Sequence, residues 1–179
     1  MGNANDYVPI QLTEAFRQAQ SDETFQSWLK MQEAAMGIEF PIYDCPEVRD
    51  QMYAKDSLPV VETKLIDLYE NHREAFSPDH VHTTMRYVYY IGETFRRAFD
   101  GTWVALSNLA DPSDSPTKMA IDYPMREAMN RPADLVKIAV NRRSGQEISK
   151  VFGYAKRDYA EWVAAGKPER TFVGTRCEG

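Results

Sequence analysis

Residues 87–103 read YVYYIGETFRRAFDGTW, and how this stretch is placed decides the fold. Upstream, Ser77 and Pro78 form a helix-start signature, with a capping hydroxyl followed by proline in the first turn. Downstream, Asp100-Gly101 is a stop, so the spacing predicts a helix over 78–99. At ~100° per residue, Val81, Met85, Val88, Gly92, Phe95 and Phe99 fall on one apolar seam. Tyr87, Tyr90 and Ile91 lie on other faces. A helix with large apolar groups on most sides is surrounded by protein, which makes this the central helix of the domain. Gly92 sits in the seam, where it costs ~1 kcal/mol relative to alanine. The expected reason is close approach of another backbone; a ligand reaching the helix backbone is the alternative.

Beside the seam runs a second stripe of His82, Arg86, Tyr89, Glu93 and Arg96. Two readings of it stand. In one, Glu93 is a base, Arg96 an anion clamp and His82 an acid, with Arg86 nearby, forming a polar site. In the other, Glu93 pairs with Arg96 or Arg97 one turn later, as a structural ion pair on a central helix.

Working outward, Thr13 is placed to cap a short helix running to about Gln20, and Ser21 or Asp22 a second one. In the second helix, Phe25, Trp28, Leu29, Gln32 and Met36 recur at helical spacing before Gly37. GIEFPIYDCPEV (37–48) holds two prolines and reads as an extended connector into a short helix near 46–54. Val61, Leu65, Leu68, Ala75 and Phe76 predict one amphipathic helix over 59–76, with His72 on its apolar stripe. After the central helix the pattern changes. TWVALS (102–107) and TKMAIDY (117–123) read as two antiparallel strands joined by the polar loop NLADPSDSP. Asn130-Arg131-Pro132 opens a short helix to about Asn141. After Ser144-Gly145, a longer helix aligns Ile148, Phe152, Ala155, Tyr159, Trp162 and Val163. The tail TFVGTRCEG (171–179) reads as a last strand or a frayed end. The expected fold is α+β: a helix-rich single domain spanning 1–179 with a small antiparallel sheet.

The composition narrows the function. A chain that is 43% apolar and 27% charged belongs with folded globular proteins. Its net charge of −6 argues against nucleic-acid binding, which needs concentrated Lys and Arg, and suits a basic protein partner. No apolar run approaches the ~18 residues of a membrane span. The start MGNANDYVPI lacks the basic and apolar regions of a signal peptide, so the expected location is the cytoplasm, with no membrane association. Cys45 and Cys177 form no CxxC pair and read as free thiols.

Recognised catalytic signatures are missing. His80 and His82 are spaced i, i+2, which on a helix points them apart, and HExxH is absent, so no metal site is expected. There is no Walker loop, GxGxxG or GxSxG, and no cofactor is expected. In the 108–116 loop, Asp111 and Asp114 are candidates to meet a basic partner, against the alternative that they simply solvate the loop.

The segment Tyr90-Ile91-Gly92-Glu93, with Arg96 and Arg97, Asp100-Gly101 and Trp103, resembles one in small acidic bacterial proteins, including actinobacterial immunity proteins that neutralise toxins. The resemblance covers under a tenth of the chain and carries over no contact residues. It implies a non-enzymatic protein that occludes a toxin or enzyme by one-to-one binding. The competing expectations are a small enzyme or ligand-binding domain built on Glu93, Arg96 and His82, and a scaffold or assembly subunit.

Overall fold

The structure is a computed structural model, which describes residues 8–108 and 116–172. Asp111, Asp114 and Cys177 lie outside them. The helices, in order, are α1 (Glu14–Ala19), α2 (Glu23–Ala35), α3 (Ser57–Leu68), α4 (His72–Ala75), α5 (Val81–Ala98), α6 (Pro132–Arg142) and α7 (Glu147–Ala164). Between α5 and α6 lie β1 (Thr102–Ala105) and β2 (Met119–Asp122). The architecture is helix-rich α+β with a two-stranded antiparallel sheet.

Helix α5 is the central element. Every residue from Tyr87 to Phe95 is buried, and the helix touches α2, both strands and α6. It ends at Phe99, where Asp100 takes the left-handed conformation (φ 52°) and the Gly101 amide donates to the Arg96 carbonyl at 3.0 Å. That closure satisfies an end carbonyl and turns the chain back into β1. β1 and β2 pair in register Thr102 with Asp122 and Trp103 with Ile121. β2 starts later than its apolar run because Pro116–Lys118 is a 3₁₀ turn, and β1 ends at Ala105, opposite Met119. Asn130 bridges to Ile121 on the other side of β2 and covers that edge.

Four expectations are corrected. The helix expected over 59–76 is two helices. Tyr69 and Asn71 are extended, and the Asn71 side chain accepts from the Arg73 and Glu74 amides, capping α4. An asparagine cap competes with helix continuation, and here it wins. His72 is therefore on no buried stripe; it opens α4, its amide donating to Asn141 Oδ1 at 3.0 Å. The 37–48 connector is not extended either: Phe40–Asp44 forms a turn of π-helix, followed by a 3₁₀ turn over Pro46–Gln51. Finally, α5 starts at Val81 and not at Pro78: 77–80 is a turn in which the Ser77 carbonyl accepts from the His80 and Val81 amides, and no side chain caps the helix. In α7 the aligned face is buried only over its first half. Ile148, Phe152 and Ala155 enter the core, whereas Val163 is 42% exposed.

The start of α7 is seated by a buried acid. The Glu147 and Ile148 amides donate to the Glu62 carboxylate at 2.9 and 3.0 Å. Glu62 thus answers two of the free amides of a helix N-terminus. Burial pushes its carboxyl above the ordinary value despite those bonds. At the other end of the chain, Arg170 grips Asp122 with two parallel hydrogen bonds, at 2.7 and 3.0 Å.

Gly92 has a definite reason. A Cβ there would stand 2.2 Å from Trp103 Cη2 and 2.9 Å from Pro132 Cγ. The close neighbour is thus an indole and a proline ring, not a backbone. Gly153, on the exposed face of α7, has nothing within 4 Å of its Cβ position. The two glycines make a matched test in denaturant unfolding. Gly153→Ala should gain up to about 1 kcal/mol of helix propensity. Gly92→Ala should lose about 2 kcal/mol net, because overpacking outweighs the same gain.

Candidate functional site

The polar ridge of α5 divides into two separate constellations. At its C-terminal half, Arg96 donates to Glu93 through Nε (2.8 Å) and Nη2 (2.7 Å), and Arg97 Nε donates at 2.8 Å. Trp103 Nε1 adds a fourth bond at 3.1 Å. Arg97 also lies over the Tyr53 ring, 4.1 Å from its centroid. The Trp103 ring stacks on Tyr89 and meets Trp28 edge-on, with centroids 5.3 and 5.6 Å away. Burial pushes the Glu93 carboxyl up, but the hydrogen bonds from Arg96 and Arg97 more than offset it, leaving it below its ordinary value. Both carboxylate oxygens are engaged by donors, so Glu93 is an ionised anchor for β1.

At the N-terminal half, Arg86 reaches a residue 42 positions earlier. Its Nε and Nη2 both bind the Asp44 carboxylate, Nη2 at 2.9 Å. His82 is exposed one turn before it. His82 and Glu93 are eleven residues apart, so they stand about 16 Å apart along the axis. The expected set of His82, Arg86, Glu93 and Arg96 is thus split: Glu93 with Arg96, and Arg86 with His82 in a different place.

That different place is a surface formed by the end of α2, the π turn and the start of α5. Phe40, fully buried, stacks on Tyr90 (4.6 Å between centroids) and meets Tyr87 edge-on at 5.1 Å. Tyr87 Oη donates to the Asp44 carbonyl at 2.7 Å, and the Cys45 amide closes the turn onto the Phe40 carbonyl at 2.8 Å. The turn is held at both ends. Between the two anchors, Ile42 and Tyr43 point out, 49% and 74% exposed. Met31 and Ile38, 59% exposed each, continue the apolar surface. A groove of about 390 Å³ lies alongside, lined by Met31, Gln32, Ile38, Glu39, His82 and Arg86.

Sequence reasoning singled out His82 and Arg86 of this surface and missed Asp44, Ile42 and Tyr43. The available signal was Ile42-Tyr43, two large apolar residues in a segment bracketed by Pro41 and Pro46. Arg86 pairs with Asp44 across too many residues for helical spacing to reveal it.

Cys45 lies beneath the turn, where burial, aided by Glu47, pushes its thiol up to about 11 and keeps it neutral. Among the described residues, no group of three or more His, Cys, Asp or Glu is placed to hold a metal ion, and no helix is long and apolar enough to cross a membrane. No family model matches the sequence, and neither a curated protein nor a solved structure matches it.

The Glu93 anchor gives a pH-resolved prediction. Because its folded value is depressed, its contribution to stability is present above the ordinary carboxyl value of 4.5 and is lost as pH falls through the folded value. Glu93→Gln should cost about 2 kcal/mol at pH 7, a figure held down because both arginines reach solvent. Urea midpoints of wild type and variant should converge in strong acid. A gap that stays constant with pH would show that the charge contributes nothing.

Proposed function

We propose that the chain is a non-enzymatic protein-binding module, an immunity-type inhibitor that works in the cytoplasm by occluding a cognate toxin or enzyme. The observation that carries this reading is the clamped π turn. Ile42 and Tyr43 are among the exposed large apolar residues of the fold, yet the backbone presenting them is fixed by Phe40, Tyr87 and the Arg86–Asp44 pair. Exposed tyrosine and aliphatic side chains on a rigid support lose little conformational entropy on binding, which is what an interface anchor requires. π turns are frequent at functional sites. A contiguous apolar surface on a folded protein marks a contact site more often than chance exposure does.

The choice of an inhibitor over an enzyme is supported by Glu93, whose oxygens are occupied by donors from Arg96, Arg97 and Trp103. A carboxylate so engaged is a poor general base, since its proton affinity is lowered and its reach is filled. The toxin-directed part rests on the resemblance of the 90–103 segment.

The test is affinity capture from the native host with tagged wild type beside Ile42→Asp and Tyr43→Ala, each confirmed as folded by thermal melting. The expected result is one partner recovered in a one-to-one complex by light scattering, and lost from both variants. Equal recovery with all three proteins, or none with any, would overturn the assignment of this face.

A further inference from the structure

The groove beside the π turn contains a polar side chain that the fold leaves unfinished. Gln32 is 4% exposed and lines the groove, and its Oε1 is sealed from solvent with no hydrogen-bond partner among the described residues. Buried amides are normally satisfied, so an incomplete one at the wall of a groove points to a group supplied from outside. The two ends of a glutamine amide exchange by a simple flip, which lets the same side chain offer its carbonyl to an incoming donor.

The charges around it select the donor. Arg86 is neutralised by the two bonds to Asp44. Glu39, on the rim, is exposed and makes no ion pair among the described residues. The walls flanking it, Met31 and Ile38, are apolar and open. An acceptor, a carboxylate outside any ion pair and an apolar channel together match a long basic side chain, whose stem lies on the apolar wall while its head is hydrogen-bonded. Of the other acids near Glu39 in sequence, Asp44, Glu47 and Asp50 are held in ion pairs with Arg86, Lys64 and Arg49, so Glu39 is the carboxylate the groove leaves open. An open carboxylate favours a basic group on the partner.

From these contacts we infer that the groove receives an arginine or lysine side chain from the basic surface of a partner protein, held by Glu39 and the Gln32 amide. The inference rests on the docking face proposed above and adds the chemistry of its partner.

The experiment pans a random displayed peptide library on the immobilised full chain, then measures the enriched peptides by fluorescence anisotropy. The expected peptides carry Arg or Lys beside apolar residues and bind Glu39→Lys at least about tenfold more weakly than wild type, with Glu39→Gln intermediate. Gln32→Leu should weaken binding while leaving the melting temperature unchanged or raised, which a purely structural glutamine would not do. Enriched peptides without a basic residue, lost on Ile42→Asp but indifferent to Glu39→Lys, would overturn the basic-anchor inference and leave the docking face standing. No enrichment, or binding indifferent to every one of these variants, would remove both. A dimer of the chain alone by sedimentation, abolished by Glu39→Lys, would assign the groove to a second copy and overturn the inference.

Discussion

The fold depends on the contact between the Trp103 indole and the backbone of α5 at Gly92. With no side chain at Gly92, the indole lies where a Cβ would stand 2.2 Å from it. The same ring donates its Nε1 proton to Glu93, one residue further along the helix. One aromatic group thus fills an apolar notch and satisfies a buried carboxylate at once. The placement sets the angle between α5 and β1, and Tyr89 and Trp28 close around the ring. A buried carboxylate is tolerable only when its lone pairs are met, and here two arginines complete what the indole begins.

From that junction the molecule divides its labour. The C-terminal half of α5 and the sheet are structural. The N-terminal half anchors the π turn, and there the fold accepts exposed apolar groups and an unfinished amide. The Arg86–Asp44 pair belongs to both. It ties a surface turn to the core helix, and it cancels the positive charge of a guanidinium at the groove wall. The two constellations on one helix face therefore serve different ends.

What the sequence discloses follows the range of the interactions. Local patterns are legible: the seam Val81 to Phe99, the Asp22 cap of α2, the stop at Asp100-Gly101 and the two short strands all match their spacing. Glu93 with Arg96 is visible because it is a one-turn pair. Less visible is anything decided across distance. The break between α3 and α4 follows from Asn71 finding two amides to cap, which an unbroken run of apolar positions conceals. The π turn forms because Phe40 is drawn between two tyrosines more than forty residues away, against the extended preference suggested by the prolines. The outer half of α7 repeats an apolar period with no surface opposite it, so periodicity alone overstates its burial. Of the candidate site, His82 and Arg86 are legible as polar residues on a helix, but Asp44, the partner of Arg86, comes from another element.

The spacing along the chain of the central contacts also bears on how the molecule assembles. Trp103 and Glu93 are ten residues apart, with the Asp100-Gly101 turn between them, so their union needs only a small loop to close. The grip of Arg170 on Asp122 and the seating of α7 on Glu62 span 48 and 85 residues. Short closures are made before long ones, which makes the α5–β1 corner the natural nucleus and the C-terminal helix a late arrival. The π turn, fastened to α5 by Tyr87 and Arg86, then matures only once that nucleus is in place. A chain interrupted in folding would expose its apolar residues before the support that gives them a fixed shape.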